Sequence, residues 1–384
     1  MMRTLAVLSL PALAPVVVLA QEIHPRLYLD SGEIDAIKAQ VGAGAAPWKV
    51  AYDRMISNAN AALSQGALSV TFGGKTPSSG ETHDYWTEPP YEGRGDDIIN
   101  PAQDRTDYFA AIALGRSVRD LGLAYAFTGE ARYADKAAQL LNAWMVNPRT
   151  RMNPKFTNSQ SRIELCITMP GAFYGADLIW HAPSWSAADR AAVSSWARAF
   201  GASARSWTGT NNFENWRHVL LASAGVAGED PSLRQEAFDS WKSFLAGAMA
   251  ADGRLVHETG RTRSLEYSTY ALNAMVQAAE IARHFGMDLY SYRLSDGRGL
   301  EKTLDYHARF VSSPSSWTYQ QIVPYTGDNS AVYEVAYLWK QKASYLAAIN
   351  RWGRPMNEGR VMGPATLTHA FGAYPLDFTL ESGR

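Results

Sequence analysis

The chain has 384 residues, with 36 Lys and Arg against 37 Asp and Glu, a formal net charge of −1, 46% hydrophobic residues and 19% charged ones. That balance supports a packed core and excludes a disordered chain. The near-neutral charge, with no basic stripe, excludes the electrostatic footprint of a nucleic-acid binder.

Residues 1–20, MMRTLAVLSLPALAPVVVLA, place Arg3 before an apolar run and end in Val18-Leu19-Ala20, ahead of Gln21-Glu22. The run is short for a bilayer span and interrupted by two prolines, so it reads as a cleaved secretory signal, with an uncleaved anchor as the alternative. The expectation is a secreted protein, extracellular or periplasmic, with residues 21–384 as a single domain and no membrane segment after cleavage. The one cysteine, Cys166, excludes an intramolecular disulfide. It lies in the apolar stretch 163–169 and reads as a buried, inert thiol.

Residues 66–101 are polar and rich in Gly, Pro, Ser and Thr, yet contain His83-Asp84-Tyr85-Trp86 and Pro89-Pro90-Tyr91. A loop of this length in a compact domain is usually functional, and its aromatic content predicts a lid or binding loop. Beyond it, apolar residues recur at helical spacing over 104–127, 131–146, 163–180, 187–204, 213–227, 233–249, 264–285, 299–311 and 331–348. Gly129, Pro183, Pro231 and Gly253 mark turns between them. Helices of this length with short connections favour antiparallel hairpins. The predicted fold is therefore all-α, an α/α barrel or toroid of helical hairpins carrying a long lid-like loop.

The eight histidines are scattered, and no H-E-x-x-H, C-x-x-C, phosphate-binding loop or dinucleotide fingerprint occurs. No metal and no cofactor are called for. The oligomeric state is not encoded in any recognisable pattern.

Four segments carry a resemblance. Thr82-His83-Asp84-Tyr85-Trp86 with Pro90-Tyr91 is similar to the HDY…PY segment of the alginate lyase superfamily. Arg151-Met152-Asn153-Pro154 with Gln160 resembles its MNP…Q segment, and Asn211-Asn212 its NNH motif at a helix start. The run 258–268, ETGRTRSLEYS, is similar to the signature E-x-x-R-T-x-S-x-x-Y-S. The R-T-x-S-x-x-Y spacing looks closer to the alginate and glucuronan lyases of family 38 than to those of family 5. The resemblance implies an α/α toroid that cleaves an acidic polysaccharide, a polyuronate, by β-elimination.

That chemistry needs particular groups. Removing the hydrogen at C5 of a uronate builds charge onto its carboxylate, which amide or guanidinium donors must stabilise. A base takes H5 and an acid protonates the O4 leaving group; tyrosine serves both when a nearby cation lowers its pKa. The resemblance thus assigns Tyr267 as acid, with the role of base also open to it, Arg261 as the cation, and Asn211 and Asn212 as carboxylate neutralisers. The family has His after the two asparagines, where this chain has Phe213, so His218, five residues on, is the substitute candidate. His83, Tyr85 and Tyr91 on the long loop, with Gln160 and Arg162, are candidates for substrate binding. Trp86, Trp207 and Trp216 are candidate sugar platforms.

Bland roles compete for each residue. Tyr267 also suits a half-buried aromatic, Arg261 a surface ion pair with Glu258 or Glu266, Asn211 or Asn212 a helix N-cap, and His218 an interior histidine. Two other functions stay open: an inverting hydrolase using Glu164, Glu258 and Glu266, and a non-catalytic polyuronate binder.

Overall fold

A computed structural model describes residues 23–92 and 98–376; the predicted signal at 1–20 lies outside the described residues. Fifteen helices are found there: α1 (Ser31–Gly42), α2 (Trp48–Ala62), α3 (Thr106–Thr128), α4 (Ala131–Leu141), α5 (Ser159–Cys166), α6 (Met169–Leu178), α7 (Ala187–Ser203), α8 (Asn212–Ala227), α9 (Pro231–Ala248), α10 (Val256–Thr259), α11 (Ser264–Arg283), α12 (Leu300–Ser312), α13 (Val332–Trp339), α14 (Ala343–Trp352) and α15 (Ala365–His369). Among the described residues no strand forms, only isolated bridges such as Met249 with Leu255. None of the helices is long and apolar enough to cross a membrane.

Burial separates two rings. All ten residues of α6 are buried, as are all of α8 except Phe213 and all of α11 except Glu266 and Tyr267. Helices buried on every side must be surrounded by others. Around them α4, α7, α9, α12 and α14 bury one stripe each. The inner helices pack in succession, α3 on α6, α6 on α8, α8 on α11, α11 on α13 and α13 on α15, and α15 returns to α2, which packs on α3. The result is the α/α toroid that the sequence predicts. Glu33 of α1, bonded to Arg283 at 2.6 Å and His284 at 3.0 Å, fastens the first helix to the end of α11.

Local chemistry sets the helix ends. Asp30 and Glu33 form a reciprocal capping box at α1, Asn158 and Ser161 another at α5, and Gly129 closes α3 with φ 73°. Two predicted helices are divided. The stretch 163–180 breaks at Ile167-Thr168, because Pro170 lacks the N–H needed inside a helix and sits instead in the first turn of α6. The stretch 331–348 breaks at Lys340–Lys342, where Lys340 and Lys342 leave the helix path to reach Glu301 and Asp305. The stretch 131–146 ends in a π-turn over 142–146. Helices α1 and α2 are additions to the sequence expectation. Cys166 is fully buried and its thiol is pushed up to about 12 by that burial.

The α3–α6 crossing is the tightest in the fold. A Cβ on Gly175 would lie 2.1 Å from the Val118 carbonyl oxygen, and one on Gly122 would lie 2.8 Å from the Gly175 Cα. Only glycine permits backbones this close.

Candidate active site

Helices α3, α5, α8 and α11 begin around one cleft, and the segments leading into α13 and α15 reach it. Its walls include Arg105 and Tyr108 from α3's start, Gln160 and Glu164 from α5, Asn212 and Phe213 from α8, and Arg261, Arg263, Glu266 and Tyr267 from α11's start. Asn329 and Arg360 precede α13 and α15, and the long loop adds Pro89, Pro90 and Tyr91. The cavity is about 380 Å³. Helix N-termini carry partial positive charge and unpaired N–H groups, so their convergence favours an anion. The side chains agree: four arginines face two glutamates. The few residues of α8 and α11 that escape burial, Phe213, Glu266 and Tyr267, all line this cleft, beside the buried Asn212 and Tyr270.

Tyr267 and Arg261 come together as expected. The Arg261 guanidinium lies 3.9 Å from the centre of the Tyr267 ring. A cation there is attracted by the electron-rich face of the ring. Tyr270, one turn on, is a contrast: burial pushes its phenol far above the ordinary tyrosine value, with Arg360 opposing only in part. The segment bearing Arg263 is braced by residues 320–322: Ser264 N–H donates to the Gln320 carbonyl at 3.1 Å, and Ile322 N–H to the Thr262 carbonyl at 2.9 Å.

The two asparagines divide their tasks. Asn211 caps α8, its Oδ1 accepting the Phe213 N–H at 3.1 Å, and it faces a small cavity behind the wall. Asn212 is fully buried at the cleft wall and donates N–H and Nδ2–H to Glu258, at 2.5 and 2.9 Å. His218 does not reach the cleft. It is fully buried one and a half turns behind Phe213, between Glu214 at 3.2 Å and Ser240 at 3.0 Å, and burial holds its imidazole below the usual value. The helical repeat turns position 218 away from position 213.

Substrate-binding expectations divide as well. Tyr91 and Gln160 line the cleft, and Arg263 lies 5.3 Å from the Tyr91 ring centre. Arg162 lies outside it: its guanidinium donates to the Trp207 and Thr208 carbonyls at 3.0 and 2.8 Å and covers the back of the Phe213 ring at 4.8 Å. Tyr85 is fully buried beneath the cleft, its hydroxyl donating to Glu164 at 2.7 Å. Gln160 Nε2 donates to the other Glu164 oxygen at 2.9 Å, and Arg105 forms an ion pair with the same carboxylate. His83 sits away from the cleft with Nδ1 2.7 Å from the Arg151 carbonyl. Trp216 is fully buried against Tyr270, which leaves no face for a sugar.

His83 and Asp84 work as a clasp instead. Asp84, 1% exposed, accepts from Asn153 Nδ2 and Ser79 Oγ at 2.8 Å each and from Lys155 at 2.9 Å. Burial alone would raise its carboxyl, but these donors hold it below the usual range. The Asn153 N–H donates to the His83 carbonyl at 2.8 Å, and Thr157 Oγ1 to the Tyr85 carbonyl at 2.7 Å. Two of the sequence motifs thus bind each other and pin the long loop so that Pro89–Tyr91 form a cleft wall. Replacing Asp84 by Ala should raise KM about tenfold, with kcat changed much less, and expose residues 66–101 to limited proteolysis. An unchanged KM and cleavage pattern would refute the clasp.

Arg105, Tyr108, Asn329 and Arg360 were not legible as site residues. Arg105 and Tyr108 open one helix, α3, while Asn329 and Arg360 lie in the segments before α13 and α15, and only the ring gathers them.

An α/α toroid with a cationic cleft at converging helix starts is suited to an anionic ligand. A family model described as alginate lyase matches residues 69–317, well over half of the chain. The chain belongs to the alginate lyase family and is a polysaccharide lyase. The fold is similar to that of an alginate lyase from Bacteroides ovatus, with TM-score 0.79, 21% identity, 91% of this chain and all of that chain covered. It is also similar to alginate lyase A1-III from Sphingomonas species A1, with TM-score 0.67, 20% identity and 91% and 99% of the two chains covered. A histidine-to-alanine variant of A1-III, solved with a tetrasaccharide, matches at TM-score 0.67 and 21% identity over 90% of this chain and 98% of that one. No curated protein matches the sequence significantly.

Proposed function

We propose that this enzyme cleaves a 1,4-linked polyuronate, of the alginate or glucuronan type, by β-elimination, with Tyr267 as both base and acid. The observation that carries this is Arg261 stacked on Tyr267 at 3.9 Å in a cleft where helix N-termini converge. Asn212 and the cleft arginines neutralise the uronate carboxylate as charge grows on it. Tyr267 then takes H5, the C4–O4 bond breaks, and the same hydroxyl returns the proton to O4. The solved tetrasaccharide complex of the similar A1-III fold supports an oligosaccharide-sized occupant. The leader at 1–20 would carry residues 21–384, a single catalytic domain, out of the cytoplasm.

Phe213 sharpens the substrate. With no imidazole among the described residues that line the cleft, one tyrosine must reach both H5 and O4, so the two must lie on the same face of the sugar. Mannuronate and glucuronate meet this condition; guluronate, inverted at C5, does not. The hydrolase alternative is disfavoured because Glu258 is bonded behind Asn212 and Glu164 is paired with Arg105, so two of its three candidate carboxylates serve to hold the cleft wall.

Growth of ultraviolet absorbance on polymannuronate, glucuronan, polyguluronate and a neutral glucan tests this. Signal is expected on polymannuronate or glucuronan and absent on the other two. New reducing ends without absorbance would indicate a hydrolase, and uronate binding without any product would indicate a binder.

A further inference from the structure

Behind Asn212 lies a carboxyl group that the elimination does not use. Glu258, on the single-turn α10 three residues before Arg261, is 2% exposed. Both of its oxygens address one residue: Oε1 accepts the Asn212 backbone N–H at 2.5 Å and Oε2 accepts Nδ2–H at 2.9 Å. Asn212 is itself fully buried at the cleft wall, and its Oδ1 has no hydrogen-bond partner. A buried amide oxygen left in that state is costly.

This arrangement conflicts with holding a uronate. The substrate carboxylate needs N–H donors from Asn212, but an ionised Glu258 claims one of them and places a second negative charge directly behind the amide. One added proton resolves the conflict. With Glu258 protonated at Oε2 and the Asn212 carboxamide turned by 180°, the Glu258 O–H donates to Asn212 Oδ1, and Oε1 keeps the backbone N–H. Both Nδ2 hydrogens are then released toward the cleft.

We propose that Glu258 is a positioning residue that sets the direction of the Asn212 carboxamide, and that uronate binding is coupled to uptake of one proton by Glu258. The inference rests on the cleft being the uronate site. The charged or titratable groups around Glu258 are Arg261, whose charge favours the carboxylate, and its neighbour His257. The adjoining parts of α8, α9 and α11 present Asn211, Asn215, Phe244, Ala248 and Ala271, none of them titratable. Burial pushes the Glu258 carboxyl up to about 7, against the bonds from Asn212 and the charge of Arg261, so the exchange falls in an ordinary assay range.

Calorimetric titration with a mannuronate or glucuronate tetrasaccharide tests the coupling. The Tyr267→Phe variant keeps the ligand intact, and two pH 7.5 buffers of different ionisation enthalpy report proton uptake. Between about half and one proton should be taken up per site, and affinity should fall towards tenfold per pH unit above 7. Adding Glu258→Gln should preserve binding, because the glutamine amide donates to the same Oδ1, while abolishing uptake and flattening the pH dependence. Equal uptake in both proteins, pH-independent affinity with Glu258 intact, or loss of binding in a Glu258→Gln protein of unchanged Tm would each overturn the proposal. Absence of tetrasaccharide binding to both proteins would instead overturn the assignment of the cleft, and this inference with it.

Discussion

Tyr267→Phe will lower kcat on the preferred polyuronate by about a thousandfold or more and leave KM within a fewfold. General acid or base catalysis by a side chain contributes roughly 10²- to 10⁴-fold, and in the proposed mechanism a single hydroxyl takes H5 and returns the proton to O4. The ring itself stays: phenylalanine preserves the face that Arg261 covers at 3.9 Å and the packing at the start of α11. A change confined to kcat is the signature of an interaction made in the transition state rather than in binding. Tyr270 cannot take over, since its phenol is buried and held neutral well above the assay range. Initial rates of absorbance growth at saturating polymer measure the effect. A kcat within tenfold of the parent would remove Tyr267 from the proton transfers and return the base to another residue.

Gly175→Ala should damage the fold more than the loss of any single cleft side chain. The new methyl would meet the Val118 carbonyl oxygen at 2.1 Å and its carbon at 2.4 Å. These are backbone atoms of an inner helix, so relief requires α3 and α6 to separate along their whole crossing. Overpacking of a tight core costs about 1–3 kcal/mol and more where the backbone must move, which at about 1–2 °C per kcal/mol for a domain of this size predicts a fall in Tm of a few degrees. Gly247 of α9 is the matched control, because a Cβ there meets nothing within 4 Å. Gly247→Ala should leave Tm unchanged or raise it slightly, as alanine is the better helix former. Thermal unfolding of the two variants side by side decides the matter: equal Tm values would show that the crossing is not a closure point of the ring.

Several parts of the site were legible in the sequence. Tyr267 and Arg261 lie within one motif six residues apart, and a loop-to-helix junction brings such neighbours together without help from distant chain. The same holds for Asn211 and Asn212, where a helix start separates a capping side chain from a cleft-facing one. The motif residues His83, Tyr85 and Arg162 were placed too close to substrate. Motifs mark residues that a fold needs, and a buried donor that holds Glu164, such as Tyr85, carries the same mark as one that would hold a sugar. His218 failed on geometry, since five residues along a helix turn a side chain to another face.

What the sequence by itself determined is local: the helical period that makes this an all-α chain, the Gly129 cap that ends α3, and the nearness of Arg261 and Tyr267 within one motif. These follow from forces acting over a few residues, and a linear pattern records them directly. What only the tertiary structure decided is which helix starts share one point in space. Arg105, Asn212, Tyr267 and Arg360 are spread over 256 positions, yet all line one cleft. Periodicity says that a face is buried but not against which partner, so neither the glycine-mediated α3–α6 contact nor the cationic cleft exists until the ring closes.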